Sequence, residues 1–386
     1  MKHLFGGALL VAGTSIGAGM LALPVVTAAG GFLPAILIYT LCWLFMTSTG
    51  LLILELCLKL PPDSNLVTMA TNYLGPIGKW AAWILYLFLF YCLSIAYVSG
   101  GGEIVRSWVG SELWASQIFF VVVLGCFVYF GAKVVDKINL FLMTGLILSY
   151  LAFLYYGIPH IDFKFFGRSD WGASFLAFPV IFTSFSYQGI IPSLTSYLKR
   201  DPKKVRLAIL FGTTLTFCIY LVWEFLILGL VPHDSLIQAK EMGRTAIEPL
   251  KEHQAIRNVH AIGRAFGFFA ITTSYLGVTL GLFDFLADSL GLVKKGVRKF
   301  LIAVLTFLPP LVIAQINPSL FIIALSFAGG IGCALLLGFM PTIMTWGSRY
   351  FGEGHSGKNQ LFGGRLMLSL LILFVLFELI IEIGLH

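Results

Sequence analysis

The sequence predicts an all-α polytopic membrane protein, and three observations predict it. Hydrophobic residues make up 58% of the chain and charged ones 11%. Mean hydropathy is +0.93. Apolar stretches near the ~20 residues needed to cross a bilayer follow one another along the whole chain. They fall at about 4–29, 33–58, 80–102, 115–132, 138–158, 173–196, 207–230, 261–289, 300–316, 319–345 and 366–385. These eleven transmembrane helices form a single membrane domain, residues 1–386.

The first span opens on Lys2 and His3 like a signal peptide. No small-x-small cleavage site closes it before Pro24 and ten spans follow, so it is expected to be retained. Its middle reads Gly13-Thr14-Ser15-Ile16-Gly17-Ala18-Gly19, three glycines and two hydroxyls where lipid forbids loose backbone. Such an interruption survives only where protein or a water-filled cavity receives the freed N–H and C=O groups. The second span stops at Lys59 before Pro61-Pro62, and the third to sixth are separated by loops carrying Arg106, Lys133, Lys137 and Lys164. The sixth repeats the first's pattern: Thr183-Ser184, then Gly189 and Pro192. Asp201-Pro202-Lys203-Lys204 is a turn that starts the seventh. The connection at about 231–260 is long and of mixed charge. It suits a short surface helix or two, and reads equally as a lid or as a solvated loop. Most of the 25 Lys and Arg fall on the side of Lys2, Lys59, Lys199, Arg200, Lys294 and Arg349, so the N-terminus is expected in the cytoplasm and the C-terminus outside.

The two interrupted spans sit five helices apart. Equivalent elements an odd number of spans apart enter the membrane from opposite sides, which is an inverted repeat. The repeats are expected at about 4–158 and 173–345, with 366–385 appended.

A broken helix presents free amides and a positive dipole end on one half and free carbonyls on the other. That pairing suits a zwitterion. A carboxylate is expected on the amides of Ser15, Ile16, Gly17, Ala18 and Gly19. An ammonium is expected on carbonyls near Ala12, Gly13 and Thr14 and near Phe182, Thr183, Ser184 and Phe185. The seven His, at positions 3, 160, 233, 253, 260, 355 and 386, lie in loops or at span ends, and no Lys or Arg falls mid-span. Side-chain recognition of a carboxylate, Schiff-base chemistry and a histidine relay are therefore disfavoured. No nucleophile–base pair marks an intramembrane enzyme, and no charge ring or carbonyl-filter repeat marks a channel. The six Cys lie in apolar runs without a CxxC pair, so no metal site or disulfide framework is indicated. The net charge of +7 is spread over loops and meets anionic lipid, not nucleic acid.

Gly-Thr-Ser-Ile-Gly-Ala-Gly-Met-Leu-Ala-Leu-Pro at 13–24, Phe-Thr-Ser-Phe-Ser-Tyr-Gln-Gly-Ile-Ile-Pro-Ser-Leu at 182–194 and Leu-Gly-Val-Thr-Leu-Gly-Leu-Phe-Asp-Phe-Leu-Ala-Asp at 276–288 resemble the bacterial hydroxy/aromatic amino acid permease family. That family belongs to the amino acid-polyamine-organocation superfamily. The resemblance spans essentially the whole chain. It implies the LeuT-like five-plus-five inverted-repeat fold with broken helices 1 and 6, and uptake of an aromatic amino acid, tyrosine, by proton symport through the bacterial inner membrane. It also implies that spans 1, 2, 6 and 7 rock against spans 3, 4, 5, 8, 9 and 10. No cofactor and no obligate protein partner are expected, only the amino acid and the bilayer.

The centre of the second motif, Ser186-Tyr187-Gln188, is where substrate choice is expected to be written. A buried site matched to a hydroxyl rejects analogues lacking it by roughly 10⁴ or more, which makes Tyr187 and Gln188 candidates. Phe182, Phe185, Tyr91 and Phe327 are candidate aromatic walls. Ionisable groups within spans are Glu55, Glu224, Asp284, Asp288, Glu378 and Glu382, and such groups are by default functional hypotheses. Glu55 and Asp284 lie towards the cytoplasm and are expected to couple the proton. Glu224 is expected to be hydrogen-bonded in the bundle, and Glu378 and Glu382 to be solvated at the outer end. Thr272, Thr273 and Ser274 with carbonyls of the first span suit an oxygen cage for Na⁺, or bond their own helix. A sodium-coupled or exchanging carrier of other neutral amino acids is the alternative reading.

Overall fold

The computed structural model describes residues 2–62, 64–252, 257–317, 319–351 and 359–385. His253, His355 and His386 lie outside them. Among the described residues every regular element is helical. Ten helices are long and apolar enough to cross a membrane, and the pair His3–Ser15 and Ala18–Thr27, bent by 49°, makes an eleventh when taken as one span. The second to fifth spans are Phe32–Lys59, Leu66–Val109, Leu113–Phe130 and Ala132–Gly157. The sixth is Trp171–Tyr197 and the seventh Pro202–Leu230. Arg257–Ser289, Gly296–Ile316 and Leu320–Tyr350 follow, then Gly364–Leu385.

Two elements differ from the sequence reading. The third is 44 residues long because a short helix precedes the span; Gly75, at φ 67° and ψ −156°, breaks the two apart ahead of Pro76. That φ is one glycine adopts without strain. The tenth changes winding: Leu320–Phe327 is α, Ala328–Phe339 is π, and Met340–Tyr350 is α again. Wide turns of this kind are rare and concentrate at functional places. Here they let backbones meet, since a Cβ on Gly329 would lie 1.7 Å from the Pro179 carbonyl oxygen.

The packing follows a matched scheme. The first span packs on the seventh and the sixth on the second; the eighth packs on the fifth and the third on the tenth. Leu140, Phe141 and Leu148 of the fifth span and Leu370, Leu373 and Ile380 of the eleventh are exposed, which in a bilayer places them against acyl chains. The long connection forms the helix His233–Glu241 and the 3-10 turn Glu248–Glu252. Between them the chain tucks inward. Thr245, Ala246 and Ile247 are buried, as is Leu250 of the turn, and the Ala246 amide donates to the Leu21 carbonyl at 2.9 Å. A solvated loop would leave these apolar residues in water, so the connection is a packed cap over the first span.

Candidate functional site

The first helix ends at Ser15. The Ile16 amide still reaches the Ala12 carbonyl at 2.8 Å, and Gly17, at φ −170° and ψ −147°, takes the chain out of the helix before the 3-10 turn Ala18–Leu21. In an unbroken helix the carbonyls of Gly13 and Thr14 would accept from residues 17 and 18; here they accept from neither. The Ala18 amide is taken by Ser274 Oγ of the eighth span at 3.0 Å. Gly17 and Gly19 are buried, and their amides donate to nothing among the described residues. A buried donor left unmade costs about 1–3 kcal/mol, so two side by side mark a place built to receive an acceptor. Glycine is needed at both. A Cβ on Gly17 would lie 2.1 Å from Ser274 Oγ, and one on Gly19 would lie 2.7 Å from Ser184 Oγ and 3.2 Å from Ser184 Cα. The two breaks therefore touch.

In the sixth span the helix Phe178–Ser184 stops, Ser186 folds back on the Thr183 carbonyl through its amide at 3.1 Å and its hydroxyl at 2.7 Å, and the helix resumes over Ile191–Tyr197. The carbonyls of Phe182 and Phe185 accept nothing among the described residues. Tyr220 of the seventh span stands between the breaks, its hydroxyl 2.6 Å from the Ser15 carbonyl oxygen and 2.7 Å from that of Ser184. One proton serves two freed acceptors. Tyr220→Phe leaves both bare at about 1–3 kcal/mol, so a thermal-unfolding series is expected to show lower stability; an unchanged midpoint would show that the bridge carries nothing.

Several expected residues are placed otherwise. Tyr187 and Gln188 are buried but committed to the second span. Gln188 Nε2 donates to Thr49 Oγ1 at 3.1 Å and lies 2.9 Å from Met46 Sδ, its Oε1 accepts from the Tyr187 amide at 2.9 Å, and the Tyr187 hydroxyl donates to the Met46 carbonyl at 3.3 Å. They fasten the sixth span to the second. Phe182 stacks on Phe45 and Phe374 in the core, while Phe185 stands edge-on to Tyr220 and Tyr39 beside the breaks. Tyr91 donates to the Leu305 carbonyl of the ninth span. Thr14 is exposed and bonds its own helix at Leu10.

The coupling candidates divide likewise. Glu55 is 1% exposed, yet its carboxylate is consumed: Arg349 Nε and Nη2 donate to it at 2.9 and 2.7 Å, Lys59 Nζ at 3.2 Å and the Gln360 amide at 2.9 Å. This is a latch between the second and tenth spans. Asp284 is 46% exposed and pairs with Lys294 at 2.6 Å, a surface ion pair. Thr273 donates to the carbonyls of Phe269 and Ala270 of its own helix, the Ala270 carbonyl oxygen lying 3.9 Å from where a Gly17 Cβ would stand, and Thr272 lies roughly 200° round the helix from Ser274 at about 100° per residue. Glu224 accepts from Thr27 and Tyr39 hydroxyls, as expected. Glu378 and Glu382, expected to be solvated, are 0% and 1% exposed, because the π-helical stretch covers the face they occupy. Tyr220 was not singled out in the sequence; one tyrosine among 14 carries no mark of its position. Ser274 was grouped with its hydroxyl neighbours, and only the fold shows that its Oγ takes the Ala18 amide beside Gly17.

The chain has relatives along its whole length. The description of the tryptophan/tyrosine permease family matches residues 1–382. The Tyrosine-specific transport system 1 of Haemophilus influenzae is 33% identical, covering 99% of this chain and 96% of that protein. The Tryptophan-specific transport protein of Haemophilus influenzae is 30% identical over the same shares. Among solved structures, MhsT in complex with L-phenylalanine superposes with a TM-score of 0.66 at 15% identity, covering 97% of this chain and 98% of that one; the two share the LeuT-like fold.

Proposed function

The chain belongs to the tryptophan/tyrosine permease family, and from that premise we propose that it imports an aromatic amino acid, tyrosine by preference, in symport with a proton. It is a multi-pass membrane permease of a transporter family, not an enzyme. The observation that carries the reading is the pair of buried, unpaired amides at Gly17 and Gly19, where the first break touches the sixth-span break. Amides at a helix break bind an anion, and carbonyl ends attract a cation. An amino acid backbone presents both. The rings of Phe185, Tyr220 and Tyr39 offer an aromatic side chain edge and face contacts. The inner membrane of a bacterium, with the basic loops in the cytoplasm, supplies a proton gradient directed inwards.

Tyrosine is preferred over tryptophan on the likeness to tyrosine-specific relatives. The test is uptake of labelled tyrosine into proteoliposomes under an imposed pH gradient or an imposed sodium gradient, with phenylalanine, tryptophan and leucine as competitors. Accumulation driven by acid outside, indifferent to sodium and displaced best by tyrosine, is the expected result. Accumulation that follows sodium and ignores the pH gradient would overturn the proton reading, and stronger displacement by tryptophan would overturn the substrate.

A further inference from the structure

The last span holds a carboxylate that nothing above employs. Glu378 is 0% exposed, and neither of its oxygens has a hydrogen-bond partner among the described residues. No Lys, Arg or His pairs with it among them either. The titratable groups facing it are Glu382 on its own helix, Cys42 of the second span and Cys333 of the tenth, with Cys92 of the third beside Glu382. Glu382 accepts from Ser326 Oγ at 2.8 Å, and its carboxyl group occupies the space that a Gly330 Cβ would fill, 2.6 Å away.

A buried, uncompensated carboxylate is among the least tolerable groups in a membrane protein, and a second acid one turn away adds repulsion between like charges. A bound proton removes that charge. The surroundings connect the site to the sixth-span break. Glu382, one turn from Glu378, accepts from Ser326; the Leu325 carbonyl beside Ser326 accepts from the Thr183 hydroxyl at 2.7 Å, and the Thr183 carbonyl accepts from Ser186.

We propose that Glu378 is the group that takes up the symported proton, from the side of the membrane opposite Glu55 and Arg349, and that its protonation state is transmitted to the sixth-span break through Glu382, Ser326 and Thr183. This rests on the proton-symport reading and adds the carrier to it. In the closed packing the carboxyl group is neutral and stays buried. Release requires the tenth and eleventh spans to part and admit water, after which the proton leaves to the inner phase and the carboxylate is left charged. Proton release and substrate release then share one rearrangement, which is what coupling demands.

The experiment compares wild type with Glu378→Gln in proteoliposomes, reading acid-driven accumulation, tyrosine counterflow and proton entry by an internal pH-sensitive dye. One proton per substrate permits about tenfold accumulation per unit of pH gradient. Glu378→Gln is expected to show no accumulation and no substrate-dependent proton entry, while counterflow continues. Equal acid-driven accumulation in both would overturn the assignment of Glu378 and leave proton symport standing. A wild type that does not respond to the gradient would instead overturn the symport reading. Glu378→Asp, which keeps the acid and retracts it, is expected to shift the pH midpoint of uptake; an unmoved midpoint counts against the proposal. Infrared difference spectra of wild type should show a protonated-carboxyl band perturbed by tyrosine, and absence of any such band contradicts a buried proton at this site.

Discussion

Gly17→Val is expected to reduce tyrosine binding by about 100-fold or more, the scale set by displacing a binding group by roughly 1 Å, while the protein still inserts and folds. The reason is geometric. Even a Cβ at position 17 lies 2.1 Å from Ser274 Oγ, so the Ser274 hydroxyl must swing away or the Gly17 amide must turn. Either movement also breaks the bond from the Ala18 amide to Ser274, and the branched side chain fills the approach to the two unmade donors. The φ of −170° at Gly17 is extended backbone open to any residue, so the loss is one of space and not of backbone strain. Equilibrium binding of labelled tyrosine to purified protein, with the unfolding midpoint measured beside it, checks this. Wild-type affinity in a folded Gly17→Val protein would show that the carboxylate sits elsewhere.

Glu55→Ala is expected to be the most destabilising single change, by about 3–5 kcal/mol. It removes the acceptor of a bidentate Arg349 pair and of Lys59, whose side chains are 4% and 5% exposed, and leaves two cations uncompensated among helices. The substitution also takes away the acceptor of the Gln360 amide. Replacing both partners, Glu55→Ala with Arg349→Met, is expected to recover much of the loss, because the penalty lies in the stranded charge more than in the missing attraction. Denaturant or thermal unfolding of the two variants in detergent decides it. Equal instability would mean that the pair itself, and not the orphaned cation, is what stabilises this end of the bundle.

The spans were legible because lipid leaves few choices. A stretch such as 33–58 can only be a crossing helix, and it folds as Phe32–Lys59. The interruption at Gly17 was legible for the same reason, since three glycines within seven residues cannot sustain a straight helix at membrane depth, and the helix bends there by 49°. What the sequence hid were relations between residues far apart along the chain. Glu55 reads as an intramembrane acid until Arg349 arrives from the tenth span. Glu378 reads as an outer-end acid until a π-wound segment, itself without a sequence mark beyond Gly329 and Gly330, covers it. Gln188 and Tyr187 lie in the right motif, but their polar atoms turn to Met46 and Thr49 of the second span. The break in the first span followed from local chemistry; the partners of the side chains were decided by which helix faces which.

Displacement of labelled tyrosine by tyramine, which keeps the phenol and the ammonium but has no carboxylate, tests most directly whether main-chain amides at the first break hold the substrate. With two buried donors left unmade by such a ligand, rejection on the order of 10⁴-fold is expected, so tyramine at about 100-fold excess should displace nothing while unlabelled tyrosine displaces fully. Displacement by tyramine at concentrations comparable to tyrosine would contradict the account.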